Sequence, residues 1–113
     1  MNITGESYGP AVILNIKGEL TVDTLDAFQQ AVDHQLASAE VIDLILNMEN
    51  VPFIDSAALE RLLDLQERLA ERMGQVKFVR CDENIAKILE MTRLNSTFEI
   101  FKEVPEAVKS SQA

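Results

Sequence analysis

The chain is poor in the residues that most often announce chemistry. Its 113 residues include one cysteine, Cys81, one histidine, His34, 4 glycines, 3 prolines, one tyrosine and no tryptophan. A single cysteine excludes an internal disulfide, and no Cys/His cluster has metal-ligand spacing. None of the glycines is spaced as G-x-G or G-K-[ST], which excludes a phosphate-cradling loop of either kind. Positive charge is scarce as well: 10 Lys plus Arg stand against 19 Asp plus Glu, a net charge of −9. Such a surface repels phosphate backbones and argues against nucleic-acid binding; it suits a basic protein partner or serves solubility. No charged opening followed by an apolar segment marks a secretory leader, and no apolar run approaches a membrane span. The expectation is a cytoplasmic protein with no cofactor, its residues 1–113 forming one domain.

What is present is organised around Val41 to Met73. The apolar run Val41-Ile-Asp-Leu-Ile-Leu-Asn-Met48 has the length and branching of a strand buried on both faces. The loop Glu49-Asn-Val-Pro-Phe-Ile54 follows, then Asp55-Ser56 and a helical pattern to Met73. Leu59, Leu62, Leu63, Leu69, Ala70 and Met73 share one stripe of that helix, and Gly74 suits the residue just past its end. Asp64 and Arg68 have the spacing of an i,i+4 ion pair.

Before this unit, Asn2–Ser7 reads as a short strand, Tyr8-Gly9-Pro10 as a turn and Ala11–Ile16 as a second strand. A helix capped by Asp23 or Thr24 then carries Leu25, Phe28, Ala31, Val32 and Leu36 to about Ser38. After it, Gln75–Arg80 alternates as a strand and Asp82-Glu83-Asn84 opens a helix with Ile85, Ile88, Leu89 and Thr92 on one face. Phe98–Phe101 is a last short strand, and Pro105 begins a closing helix that runs from Glu106 to about Ser110. The order β-β-α-β-α-β-α-β-α predicts an α/β domain with a mixed, mostly parallel sheet of four to five strands and about four helices.

Enzymatic chemistry finds no constellation. His34 sits in the first helix with no carboxylate arranged for it, so a Ser56–His34 pair lacks the third group that would orient it. Asp55 follows the third strand as a receiver-domain aspartate does, but Lys17-Gly18-Glu19 supplies no acidic pair to hold a metal. At Asp55-Ser56 a carboxylate and a hydroxyl meet a helix N-terminus, where backbone N–H groups favour negative charge. Either residue can cap the helix there. If Ser56 caps, it is structural; if Asp55 caps, the Ser56 hydroxyl is free to accept phosphate, which would place about −1.5 to −2 charge on any contact surface.

The stretch Leu44-Ile-Leu-Asn-Met-Glu-Asn-Val-Pro-Phe-Ile-Asp-Ser-Ala-Ala-Leu59 resembles the strand-loop-helix signature of the STAS domains (sulphate transporter and anti-sigma factor antagonist), a hydrophobic strand followed by D-S-[ST]-G-L. Gly18-Glu19-Leu20 resembles the family's G-x-L loop, and Asn84–Leu94 with Phe98–Phe101 its third helix and last strand. The resemblance covers essentially the whole chain and implies a STAS-type fold. It further implies an anti-sigma factor antagonist, not an enzyme, with Ser56 as phosphoacceptor and Asp55 as its acidic neighbour. The implied partners are an anti-sigma factor that is also a serine kinase, and a serine phosphatase. The implied interface is Gly18, Glu19, Leu20, Thr21, Ala57, Ala58, Glu60 and Arg61. Ala57 and Ala58 depart from the family's hydroxyl and glycine, which stiffens the first helical turn by roughly 0.8–1 kcal/mol. The alternatives are a scaffold or a regulatory subunit of a signalling complex or lipid transporter, in which Ser56 is only a cap, and a small-molecule-binding domain.

Overall fold

Alternation of apolar side chains along the strands decides which way each faces. In the computed structural model, which describes residues 1–112, five strands form one sheet in the order β1 (Asn2–Tyr8), β2 (Ala11–Lys17), β3 (Asp43–Asn50), β4 (Val76–Val79) and β5 (Glu99–Phe101). The first two pair antiparallel across the Gly9-Pro10 turn, and the rest pair parallel. Each parallel crossover carries a helix: α1 (Leu25–Leu36), α2 (Ser56–Ala70) and α3 (Glu83–Met91). Crossovers of one hand stepping in one direction leave all three helices on the same face. On that face Leu14, Leu44, Leu46 and Phe78 from the sheet bury Phe28, Leu62 and Leu89 from the helices, and Phe78 meets Phe98 edge-to-face at 5.0 Å. No helix among the described residues is long and apolar enough to cross a membrane.

The opposite face is covered only in part. α4 (Val104–Gln112) lays Ala107 over Ala11, Ile13, Ile45 and Val79. Beneath its C-terminal turn Lys77 and Asp43 are buried as an ion pair at 3.3 Å. Lys77 Nζ also donates to Ser110 Oγ and Ser111 Oγ at 2.6 and 2.8 Å, and Asp43 Oδ1 accepts from the Gln75 N–H. The two serines replace water around the ammonium group, and so tie α4 to the sheet.

The expected element order holds throughout, and the boundaries move for local reasons. The third strand runs Asp43–Asn50 and not Val41–Met48, because Ile42 and Asp43 turn their N–H groups to Pro10 O and Glu49-Asn50 continue the ladder beside Lys17. α2 stops at Ala70, short of Met73. Gly74 N–H bonds back to Leu69 O and Met73 N–H to Ala70 O, a Schellman closure with Met73 in the left-handed position at φ 62°. Met73 therefore points to solvent at 91% exposure, Ala70 is also exposed, and Leu65 takes their place in the buried stripe. Gly74 is needed for a different reason from the one its position suggests: a Cβ there would lie 1.7 Å from Ile42 O. Arg68 pairs with Asp33 of α1 at 2.7 Å and not with Asp64 on its own helix, holding the Asp33 carboxyl below the usual carboxylate range.

Removing one member of the buried pair leaves an unpaired charge inside the protein. Asp43→Ala is expected to lower the unfolding free energy by about 3–5 kcal/mol, measured by urea denaturation, and to release α4. Exchange of the α4 amides should rise in parallel.

Candidate functional site: the Asp55–Ser56 junction

Parallel strands with right-handed crossovers deliver the β2–α1 and β3–α2 loops to the same edge of the sheet, outside the strands' carboxyl ends. The backbone stitches these loops together. Gly18 N–H donates to Asn50 O at 3.0 Å, Leu20 N–H to Phe53 O at 3.0 Å and Asp55 N–H to Leu20 O at 3.2 Å, with a parallel bridge between Leu20 and Ile54. Gly18 adopts φ 127°, a conformation that side chains disfavour, so the loop's first turn depends on glycine. Thr24 does not cap α1 with its side chain; its hydroxyl accepts from the Thr21 N–H and reaches Glu19 O and Thr21 O, closing the loop on itself.

Asp55 joins both loops. One carboxylate oxygen accepts from the Ala58 N–H at 2.9 Å, capping α2; the other accepts from the Val22 N–H at 2.9 Å. The cap is thus Asp55, and the reading of Ser56 as a structural cap is corrected. The extended backbone of Asp55, φ −93° and ψ 176°, aims its carboxylate at the first-turn amides, while Ser56 has already entered the helix. Ser56 is exposed, and among the described residues its hydroxyl makes no hydrogen bond within the protein.

The other expected site residues divide. Gly18, Glu19, Thr21, Ala57 and Glu60 are exposed or half-buried around Ser56. Leu20 and Ala58 are 0% exposed, packed in the core beneath the junction, and so are corrected from surface contacts to supports. Arg61 is half-buried and donates to Gln29 of α1 at 3.0 Å, which holds it between the two helices. His34 lies exposed in the last turn of α1, at the other end of that helix from the junction. Cys81 is half-buried at the end of β4; burial, with Asp82 beside it, pushes its thiol up to about 11 and leaves it a poor nucleophile.

Two residues of this surface escaped the sequence reading: Val22 and Phe53 stand 64% and 45% exposed on the loops beside Asp55. The available signal was an apolar side chain in the loop before α2, at Phe53, and another between the Gly18-Glu19-Leu20 loop and α1, at Val22. Glu19 and Asp23, which flank Val22 in sequence, and Glu60 in the first turns of α2 are exposed carboxylates.

Comparison with known proteins identifies the family. The STAS domain model matches residues 2–107, and the chain belongs to that family. The anti-sigma F factor antagonist of Paenibacillus polymyxa is 21% identical over 101 residues, 89% of this chain and 86% of its own. An anti-sigma factor antagonist from Mycobacterium paratuberculosis has the same fold, with a TM-score of 0.86 at 20% identity over 99% of this chain and 94% of that one. SpoIIAA, an anti-sigma factor antagonist in its unphosphorylated form, superposes with a TM-score of 0.77 at 16% identity over 99% of both chains.

The division of labour between Asp55 and Ser56 is directly measurable. Asp55→Ala should cost about 1–2 kcal/mol of unfolding free energy in urea, from the lost cap and the orphaned Val22 amide. Ser56→Ala should stay within about 0.5 kcal/mol of the parent.

Proposed function

We propose that this protein is an anti-sigma factor antagonist switched at Ser56, its single STAS domain acting as ligand and substrate and not as a catalyst. Unphosphorylated, it binds an anti-sigma factor that is also a serine kinase, and the sigma factor is freed. Phosphate on Ser56 ends that binding, and a serine phosphatase restores it. The observation that carries the reading is the exposed Ser56 hydroxyl, uncommitted at the first position of α2 while Asp55 does the capping. The first-turn amides of α2 favour the added charge, so the modified residue is tolerable in the fold. The same charge stands beside the Asp55 carboxylate, on a surface that also exposes Val22 and Phe53, where it would expel an apolar partner surface. Family likeness to anti-sigma factor antagonists supports the assignment from outside the site.

A scaffold or transporter-regulatory role is the competing reading, and the half-exposed Ala57 methyl, in place of the family's hydroxyl, is what favours it. Mass spectrometry of the protein purified from its own host distinguishes the two. Phosphate on Ser56 in a substantial fraction of molecules is expected, together with loss of kinase binding in Ser56→Asp. An unmodified Ser56 across growth and stress conditions, with Ser56→Asp binding its partners as the parent does, would overturn the switch.

A further inference from the structure

We propose that the free edge of β1 is a docking site for an extended, basic segment of a partner protein, which adds a strand to the sheet. β1 is an edge strand of seven residues that pairs only with β2, in unbroken register from Asn2 to Tyr8. In an antiparallel pair every second residue of an edge strand turns its N–H and C=O away from its neighbour. An edge open in this way invites another strand, and proteins blunt it with shortness, a bulge, proline or charge. β1 has no bulge and no proline, and its only charged side chain is Glu6. The opposite edge, β5, is only three residues long and runs directly into Lys102-Glu103.

Charge selects the occupant. Glu6 is exposed near the middle of the strand, and its carboxylate accepts only two long hydrogen bonds, from Tyr8 Oη at 3.3 Å and Asn15 Nδ2 at 3.4 Å. Among the described residues it has no ion-pair partner. Like charges directly opposite one another across a ladder repel, and opposite charges attract. Glu6 therefore turns away acidic strands and favours one with lysine or arginine at the facing position. The net charge of −9 acts in the same sense at longer range, against further copies of this chain and toward a basic partner.

The two faces of the strand set the rest of the pattern. Glu6 and Tyr8 lie on the α4 side, because their partners Ile13 and Ala11 belong to the apolar set beneath α4. Ile3 and Gly5 lie on the α1 side, opposite Ile16 and Leu14 of the main core. There an open groove of about 590 Å³ separates the strand from α1, lined among others by Ile3, Gly5, Ala27 and Ala31. Successive side chains of an added strand point to opposite faces. Those on the α4 side meet Glu6, and those on the α1 side meet small and apolar groups, so the segment that fits alternates basic with apolar residues. Main-chain bonds supply affinity in this mode and alternate side chains supply selectivity. The docking uses neither Asp55 nor Ser56.

The probe is the peptide acetyl-Thr-Lys-Val-Lys-Val-Lys-Thr-amide, titrated into the isotope-labelled full chain and followed by amide chemical shifts. Shifts are expected along β1 and at Ala27 and Ala31, with the Ser56 end unmoved. The outward amides of β1 should gain hydrogen-exchange protection, while those of β5 do not. The same peptide with proline for both valines keeps its charge but loses two ladder donors, and should bind about tenfold more weakly or worse. Glu6→Lys should weaken binding about tenfold or more. Glu67→Lys, an equal change in net charge at an exposed position of α2, should weaken it less than about twofold. Ser56→Asp should bind as the parent does, which separates this edge from the switch. If Glu6→Lys fails to fold, Glu6→Gln takes its place, with a loss of about threefold expected. No binding of the alternating peptide would overturn the proposal. So would equal binding of the proline peptide, or equal losses in the Glu6 and Glu67 variants, since either marks only general attraction between a basic peptide and an acidic surface.

Discussion

One carboxylate holds the working end of this molecule together. Asp55 caps α2 with one oxygen and grips the Val22 amide with the other, so the start of a helix and a loop from a different crossover share a single fixed anion. Each bond satisfies a backbone donor that would otherwise face solvent or a partner unpaired. Because the loop is also laced to the third strand's exit through Leu20, Phe53 and Gly18, its position is set before any partner arrives. A preorganised surface spends less of its binding energy on ordering itself. Displacing Asp55 would loosen both halves of that surface at once.

The two faces of the sheet are stabilised by different means. The face beneath α1, α2 and α3 is a continuous apolar core, and burial at roughly 25 cal/mol per Å² of apolar surface suffices to hold it. The other face has one small helix, α4, over a handful of apolar side chains. There the buried Lys77–Asp43 pair and its two serine partners fix the position of the helix. A buried ion pair adds little net stability when every bond is satisfied, yet an incomplete one costs several kcal/mol. The arrangement therefore penalises any misplacement of α4 more than it rewards the correct one.

Local pattern carried the element order, the helix start at Asp82-Glu83-Asn84, the Gly9-Pro10 turn and the Asp55–Ser56 junction, because each depends on neighbours in sequence. What escaped the sequence depends on contacts between distant segments. Arg68 has a well-placed partner in Asp64 and still chooses Asp33, since α1 packs close enough to offer a carboxylate. Lys77 looked like the polar member of an alternating strand until α4, arriving from the end of the chain, covered it. The stripe on α2 continued by letter to Met73, but the chain must turn back where only Gly74 can pass Ile42 O. Leu20 and Ala58 sit within a motif that reads as surface, and they are its floor. The resemblance could point to a candidate site; it could not tell which of that site's residues face outward.

That distinction changes how a charge at Ser56 would act. The N-terminal amides of α2 would attract a phosphate, and the fold should accept it. The nearest of those amides with a side-chain partner, at Ala58, is already bonded to Asp55. Phosphate and carboxylate would then compete for the same few donors at close range, and two anions in one cap repel. If Asp55 yields, the Val22 amide loses its acceptor and the loop bearing Val22 is released from the helix. If Asp55 holds, the phosphate is left exposed on the surface that also bears Val22 and Phe53, where an apolar partner would have to desolvate it. Both outcomes spoil the same surface, one by moving it and the other by charging it. The single residue between loop and hydroxyl is therefore enough to make modification at Ser56 disruptive without any change in the core.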